Sequence, residues 1–318
     1  TQHAIIKLST MDDGSGASPA ALNLARFAIA SLVFLPLSPG LWSGGSEVRE
    51  VADEEDSSVD PTGEEEKGFA EGVKDGLERA LAGPQGVWVA GAEMGLWTFA
   101  GYASQTVGLQ FTTASRSAFL LYLNVKLVPV FSSVLYGTNI ATKTWVAAAV
   151  ALTGTVLLGY DGTPPNVGDA WSVAAAAASA FFILRLGTYS NRFKPEELTA
   201  ASMASVTLLC LGWVLAVDHP TSLADLLPLD ASGAAAALYL GLVTTALTNF
   251  LQTIGQQKVA AEKAAIIYSM DPVWGAGFAY LLLGETIGPQ GWVGCVLLLL
   301  ATLINIAKKD GVGESQQA

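Results

Sequence analysis

Apolar residues gather along the chain in nine long runs: 19–37, 86–107, 115–135, 143–160, 171–187, 199–217, 233–254, 264–283 and 291–306. A helix needs roughly 20 apolar residues to cross the ~30 Å hydrocarbon core of a bilayer, so each run reads as a membrane span. Thr163-Pro164-Pro165-Asn166, Asp218-His219-Pro220, Pro228-Leu229-Asp230 and Gly288-Pro289 supply turn chemistry between them. Trp42, Trp88, Trp145, Trp171 and Trp292 fall near run ends, where aromatic belts sit at membrane interfaces. Residues Thr1–Ser9 (TQHAIIKLS) read as the tail of a further helix whose start is missing. That makes ten spans, and no signal or transit peptide is visible in this stretch.

Polar residues concentrate in one place. Between Glu47 and Arg79 stand thirteen acids and four bases, a net −9 out of −12 for the whole chain. The low overall charge is therefore the property of one loop, Gly44–Ala82, which lacks apolar surface to bury and is expected to be disordered or loosely helical over 68–81. A C-terminal tail, 310–318, is also polar. Overall the chain is 51% hydrophobic and 14% charged, against about 25% charged in a soluble domain. Basic residues in the loops divide unevenly: twelve on one side, against Lys7 and Arg116 on the other. The positive-inside rule then places the acidic loop and the C-terminus on the cytosolic, stromal or matrix face.

Several chemistries have no support. The two cysteines, Cys210 and Cys295, lie within apolar runs and form no disulfide or metal spacing. There is no phosphate-binding GxxxxGK[ST] motif, no basic surface for nucleic acid and no sign of a cofactor.

The chain also matches itself. At an offset of 147, Thr98 meets Thr245, Gln105 meets Gln252, Gly108 meets Gly255, Gln110 meets Gln257, Arg116 meets Lys263 and Trp145 meets Trp292. Earlier in the chain, Pro19 meets Pro195 and Leu22 meets Leu198 at an offset of 176. The difference of 29 residues falls where the acidic loop lies. That loop is an addition to a duplicated core: residues 1–160 form one copy, with an insertion over 44–82, and residues 161–309 the other. Five spans per copy is an odd number, so the second copy enters the membrane from the opposite face. The expected fold is all-α and integral to the membrane, a ten-helix inverted-topology repeat of five plus five spans with its first helix truncated.

Three segments carry a resemblance. Leu22–Leu37 (LNLARFAIASLVFLPL), Gly108–Pro129 (GLQFTTASRSAFLLYLNVKLVP) and Gly255–Thr286 (GQQKVAAEKAAIIYSMDPVWGAGFAYLLLGET) resemble the EamA family of the drug/metabolite transporter superfamily. The resemblance implies a carrier with a central cavity, of a kind that exports or exchanges amino acids, metabolites, nucleobases or toxic compounds; no clustered His/Asp or Ser/His groups point to an enzyme. The first repeat departs from the pattern: Asn124-Val125 stands opposite Asp271-Pro272, and Thr138 opposite Glu285.

Charges within spans are costly and usually face a cavity or a partner. Lys126, deep in its span, is a candidate for attracting an anionic substrate; the alternative is a snorkelling lysine or one neutralised by Glu93 or Asp271. Asp271 precedes Pro272, whose ring frees a backbone carbonyl and kinks the helix; Pro129 is a second kink position. Arg26 is a candidate for the route, for headgroup contact or for pairing with Glu93. Trp97, Tyr102, Gln105, Asn249, Gln252 and Tyr268 supply neutral donors and acceptors that would orient a solute. The reading is a secondary carrier working by alternating access, with Asp271 or Glu93 available for proton coupling. Its partners are a small-molecule substrate and membrane lipids, with room for a homodimer. The rivals are a scaffold recruiting partners through the acidic loop and a membrane-embedded lipid-modifying enzyme. A plasma membrane and an organelle such as a plastid are both open.

Overall fold

The computed structural model describes residues 18–37, 86–112, 117, 120–137, 142–159, 164, 166–220, 231–268 and 289–306. The regular structure among the described residues is helical. In chain order the helices are α1 (Pro19–Phe34, closed by a 3-10 turn Leu35–Leu37), α2 (Gly86–Gly108), α3 (Asn124–Tyr136), α4 (Thr142–Gly159), α5 (Val167–Tyr189) and α6 (Pro195–Val217). There follow α7 (Ala231–Tyr239), a π-helical segment Leu240–Leu247 running directly into α8 (Thr248–Gln256), then α9 (Ala261–Tyr268) and α10 (Pro289–Ile306). The Thr1–Ser9 helix tail, the acidic loop and the polar tail lie outside the described residues.

Helix starts follow local chemistry. In α1, Ser18 caps the first turn by accepting from the Ala21 amide at 3.0 Å, and Pro19 occupies the first helical position, where its fixed φ fits and its missing N–H is not needed. Helix α6 likewise opens on Pro195, followed by Glu196 and Glu197, acids that suit the positive end of a helix dipole. It therefore begins four residues before the run 199–217 that hydropathy picks out. Helix α5 also begins early. Asn166 Oδ1 accepts from the Asp169 amide at 3.1 Å, and Asp169 Oδ2 accepts from the Asn166 amide at 2.8 Å, a reciprocal capping box.

Pro19–Leu37, Val167–Tyr189, Pro195–Val217 and Ala234–Gln256 are long and apolar enough to cross a membrane. The distribution of side chains agrees. Leu32, Val134, Leu208, Val217 and Leu303 are exposed, while Asn23, Arg26, Thr98, Gln105, Thr106, Ser202 and Thr245 are buried. Polar groups inside and aliphatic groups outside is the arrangement a hydrocarbon solvent selects.

The chain forms two compact units, and each draws helices from both halves of the sequence. One comprises Gln2–Thr106 and Arg185–Lys258. Its core is Phe27, Ala30 and Phe34 of α1 against Met203, Val206, Cys210 and Val214 of α6. These two helices run antiparallel: the Ser18 hydroxyl, before the start of α1, donates to the carboxylate of Asp218, just past the end of α6. Farther along the pair, the Ser31 and Thr207 hydroxyls meet at 2.8 Å. Close approach depends on small residues. A Cβ on Gly95 of α2 would lie 2.6 Å from Ser205 Cβ, and one on Gly241 of the π segment would lie 2.8 Å from Ile29 Cβ. The other unit comprises Val107–Leu184 and Val259–Ala318. There α4 packs on α10 through Ala147, Ala148, Ala151, Leu298 and Ala301, with Gly154 so close that a Cβ would lie 2.8 Å from the Gly294 carbonyl. Val128, Ala180, Ile183 and Ala265 form its second cluster, flanked by Phe131, which stacks on Phe181 at 4.6 Å. Pro129 lies inside α3 and is buried.

Gly241 and Gly255 make a matched test of this packing, because a Cβ at Gly255 meets nothing within 4 Å. Gly241→Val should lower stability by about 1–3 kcal/mol through overpacking, and Gly255→Ala should leave it within about 0.5 kcal/mol. Thermal unfolding of the purified protein in detergent checks both.

Candidate functional site

Along α1, Asn23 and Arg26 are one turn apart and share a face. That face looks onto α2 and the π segment. Asn23 Nδ2 donates to Thr106 Oγ1 at 3.0 Å and to the Pro19 carbonyl at 3.0 Å. Arg26 is fully buried. Its Nε and Nη2 donate to Thr245 Oγ1 at 3.0 and 2.8 Å, and Nη2 also donates to Thr244 Oγ1 at 3.3 Å. The guanidinium carbon lies 4.5 Å from the Tyr102 ring centroid and 5.3 Å from that of Phe27. The two rings meet edge to face at 5.2 Å.

The π segment explains how two adjacent threonines serve one cation. A π-helix carries more residues per turn than an α-helix, so successive side chains diverge by a smaller angle; such segments recur at functional sites. Thr244 Oγ1 in turn donates to the Leu240 carbonyl at 2.9 Å. Thr248 Oγ1 donates to the Val243 carbonyl, five residues back, at 3.0 Å. One turn beyond Thr245, Asn249 Nδ2 donates to the Thr245 carbonyl at 2.8 Å, and Thr253 Oγ1 donates to the Asn249 carbonyl at 2.8 Å. A polar line thus follows one side of the run 231–256.

Magnitudes show what this arrangement leaves undone. Burying an ion costs several kcal/mol. A hydrogen bond to a charged group offsets about 1.5–3 kcal/mol, and a desolvated cation–π contact about 2 kcal/mol. Two hydroxyls and two rings therefore hold the guanidinium in place. None of them cancels its charge. Among the described residues no carboxylate touches Arg26, and its Nη1, also buried, has no hydrogen-bond partner.

Another arginine of this unit is paired with an acid. Arg185, in the last turns of α5, places Nε 2.5 Å from Glu93 Oε1 and donates from Nη2 to Glu93 Oε2 at 2.8 Å. The Tyr189 hydroxyl accepts from Arg185 and donates to Glu93, and Trp97 Nε1 donates to Glu93 Oε1 at 3.4 Å. Glu93 is thus neither the partner of Arg26 nor that of Lys126. Arg185, which counts among the loop bases when the sequence is read alone, is the residue that neutralises it; Arg26 is wholly buried within the protein.

The remaining expected residues divide. Tyr102, Asn249 and Trp97 belong to the contacts above. Gln105 is buried, and Gln252 and Tyr268 are half-buried. Lys126, on the first turn of α3, is exposed and forms no ion pair among the described residues. Asp271 and Pro272 lie outside the described residues. Sequence reasoning missed Thr244, Tyr189 and the role of Arg185; the match of Thr98 with Thr245 was the available hint for the threonine pair.

The comparisons with known proteins bear on this geometry. The model of the EamA-like transporter family matches residues 75–160 and 166–307. The chain belongs to that family. Membership places it among membrane transporters and not among enzymes. The matched stretch begins at residue 75, so α1 with Asn23 and Arg26 falls before it. A protein of Archaeoglobus fulgidus described as an uncharacterized transporter is 26% identical over 288 residues, covering 90% of this chain and 76% of its own length. The uncharacterized inner membrane transporter YicL of Salmonella typhimurium is 23% identical, covering 66% of this chain and 72% of its own length. One solved structure superposes with a TM-score of 0.65 at 17% identity, covering 96% of this chain and 94% of that one; this shows a shared fold alone.

The Glu93–Arg185 pair predicts coupled losses. Glu93→Gln and Arg185→Leu should each destabilise the protein by about 1–3 kcal/mol. The double variant should lose less than the two together, as a double-mutant cycle in thermal unfolding would measure.

Proposed function

We propose that this EamA-family protein is a secondary carrier that moves a small metabolite by alternating access, with two five-span repeats in opposite orientation as its core. The observation that carries the reading is the antiparallel pairing of α1 with α6. Pro19 and Pro195 stand at the same offset as Ser31 and Thr207, and the latter two hydroxyls touch. Equivalent helices that pair in opposite senses support a duplicated, inverted unit. A second relation agrees. Gly95 packs against Ser202 and Ser205, and Gly241 packs against Arg26 and Ile29; Ser202 and Ser205 stand 176 residues after Arg26 and Ile29. Gly95 and Gly241 are 146 residues apart, whereas Thr98 and Thr245 are 147 apart. The π segment supplies that one extra residue.

Inverted repeats built around a polar interior are a common plan of secondary transporters. Of the two acids considered for proton coupling, Glu93 is committed to Arg185, Tyr189 and Trp97, which leaves Asp271 as the proposed coupling residue. Transport by this route fits the uncharacterized transporters among the relatives.

Two measurements test the proposal. In a Cys210→Ala/Cys295→Ala background, Ser18→Cys and Lys194→Cys should react with a membrane-impermeant thiol reagent from opposite faces of the membrane. Labelling from one common face ends the inverted-repeat reading. Vesicles holding the full chain should also take up or release specific metabolites from a mixed extract faster than empty vesicles; no difference for any solute ends the carrier reading.

A further inference from the structure

We propose that Arg26 is the anion-recognition residue of this carrier, and that its substrate bears a carboxylate or comparable oxyanion. The inference rests on the carrier reading. It starts from an imbalance: Arg26 is a fully buried positive charge, held by Thr244 and Thr245 and faced by Tyr102, with Nη1 unpartnered. A structural arginine at such depth is matched to an acid, as Arg185 is to Glu93. Among the described residues Arg26 meets neutral groups only. Those contacts occupy Nε and Nη2, fix the plane of the guanidinium and leave the two N–H bonds of Nη1 for an incoming oxygen. A charge-assisted hydrogen bond from a preorganised guanidinium to an oxyanion is the strong kind, and the anion supplies the missing countercharge.

Position supports the assignment. Arg26 lies seven residues into α1, about 10 Å from the helix start at 1.5 Å per residue, well inside a ~30 Å hydrocarbon core. Full burial is what a site reached from one membrane face at a time requires while it is closed. The equivalent positions of the other repeat carry no charge. Ser202 stands 176 residues after Arg26, Thr98 is 147 before Thr245, and Asn249 is 147 after Tyr102. Ser202 Oγ is also buried without a partner. One half thus offers a cation and the other a neutral hydroxyl, a pair suited to a solute with an acidic end and a polar end.

The test uses the full chain, purified in uncharged detergent and also in vesicles with and without phosphatidylglycerol. Sodium acetate, phosphate and sulfate are compared with acetamide at matched ionic strength, by thermal unfolding. At least one oxyanion should raise the midpoint in a saturable way, acetamide should not, and the lipid should make no difference. Arg26→Met should remain folded, since it removes a buried charge whose desolvation is costly and leaves behind only neutral groups. It should bind the anion roughly tenfold more weakly or worse. Thr245→Val keeps the charge but frees the guanidinium, and should weaken binding several-fold. It decides the matter where Arg26→Met fails to fold. Absence of stabilisation by any of the three oxyanions, equal stabilisation of wild type and variants, or stabilisation by phosphatidylglycerol in place of soluble anion overturns the proposal. In the vesicle assay, transported solutes without an acidic group overturn it while leaving the carrier reading intact. Anion binding without transport of any solute does the reverse.

Discussion

A guanidinium carried into the middle of an apolar helix bundle must be held by something, and much of one unit is arranged around how Arg26 is held. Its donors draw the π segment against α1, and that contact is close only because Gly241 has no side chain. Its flat face needs an aromatic ring, which Tyr102 of α2 provides. Three separate stretches of chain are thereby tied to one cation. In water the same group would be hydrated and would organise nothing. In a medium that cannot form hydrogen bonds its donors turn to the protein groups that can accept them.

The backbone bends to the same requirement. A π segment is less favourable than the α-helix it interrupts, so it persists where surrounding contacts determine it. Here it brings Thr244 and Thr245 to one guanidinium, and on the proposed duplication it shifts the register by one residue between Gly241 and Thr245. The shift is invisible in a gapless comparison that begins at Thr98. It becomes visible only when the packing glycines are compared, since Gly95 and Gly241 occupy corresponding notches yet stand one residue out of step with the threonines.

Much of the helix layout was legible in the sequence because apolar length is a direct consequence of bilayer thickness. The helices over 86–108, 142–159 and 289–306 match their apolar runs closely. Legibility failed where capping chemistry decides, as at Pro195 and at the Asn166–Asp169 box, since these residues are polar and fall outside a hydropathy window. It failed again for charge partners. Arg185 lies near the end of its apolar run and reads as an interfacial base, and only the fold brings it beside Glu93, 92 positions away. Lys126 attracts attention because its sequence neighbours are apolar, yet it is exposed, while the interior cation is Arg26. Depth in sequence and depth in structure are different quantities: a helix has a lipid face and an inner face, and hydropathy alone does not tell them apart.

The two cations therefore separate by partner and not by burial alone. Glu93 and Arg185 neutralise each other beside Tyr189 and Trp97. Arg26 meets no carboxylate among the described residues, and its Nη1 has no hydrogen-bond partner. An unpaired ion in a low-dielectric interior is costly, and a protein of this size does not need that cost to hold α1 in place, because Phe27, Ala30 and Phe34 already bury a core against α6. The cost becomes intelligible when a second body of opposite charge visits the site. The free energy recovered on neutralising the guanidinium would then be available for binding, and the corresponding positions Ser202, Thr98 and Asn249 carry no charge that would compete for it.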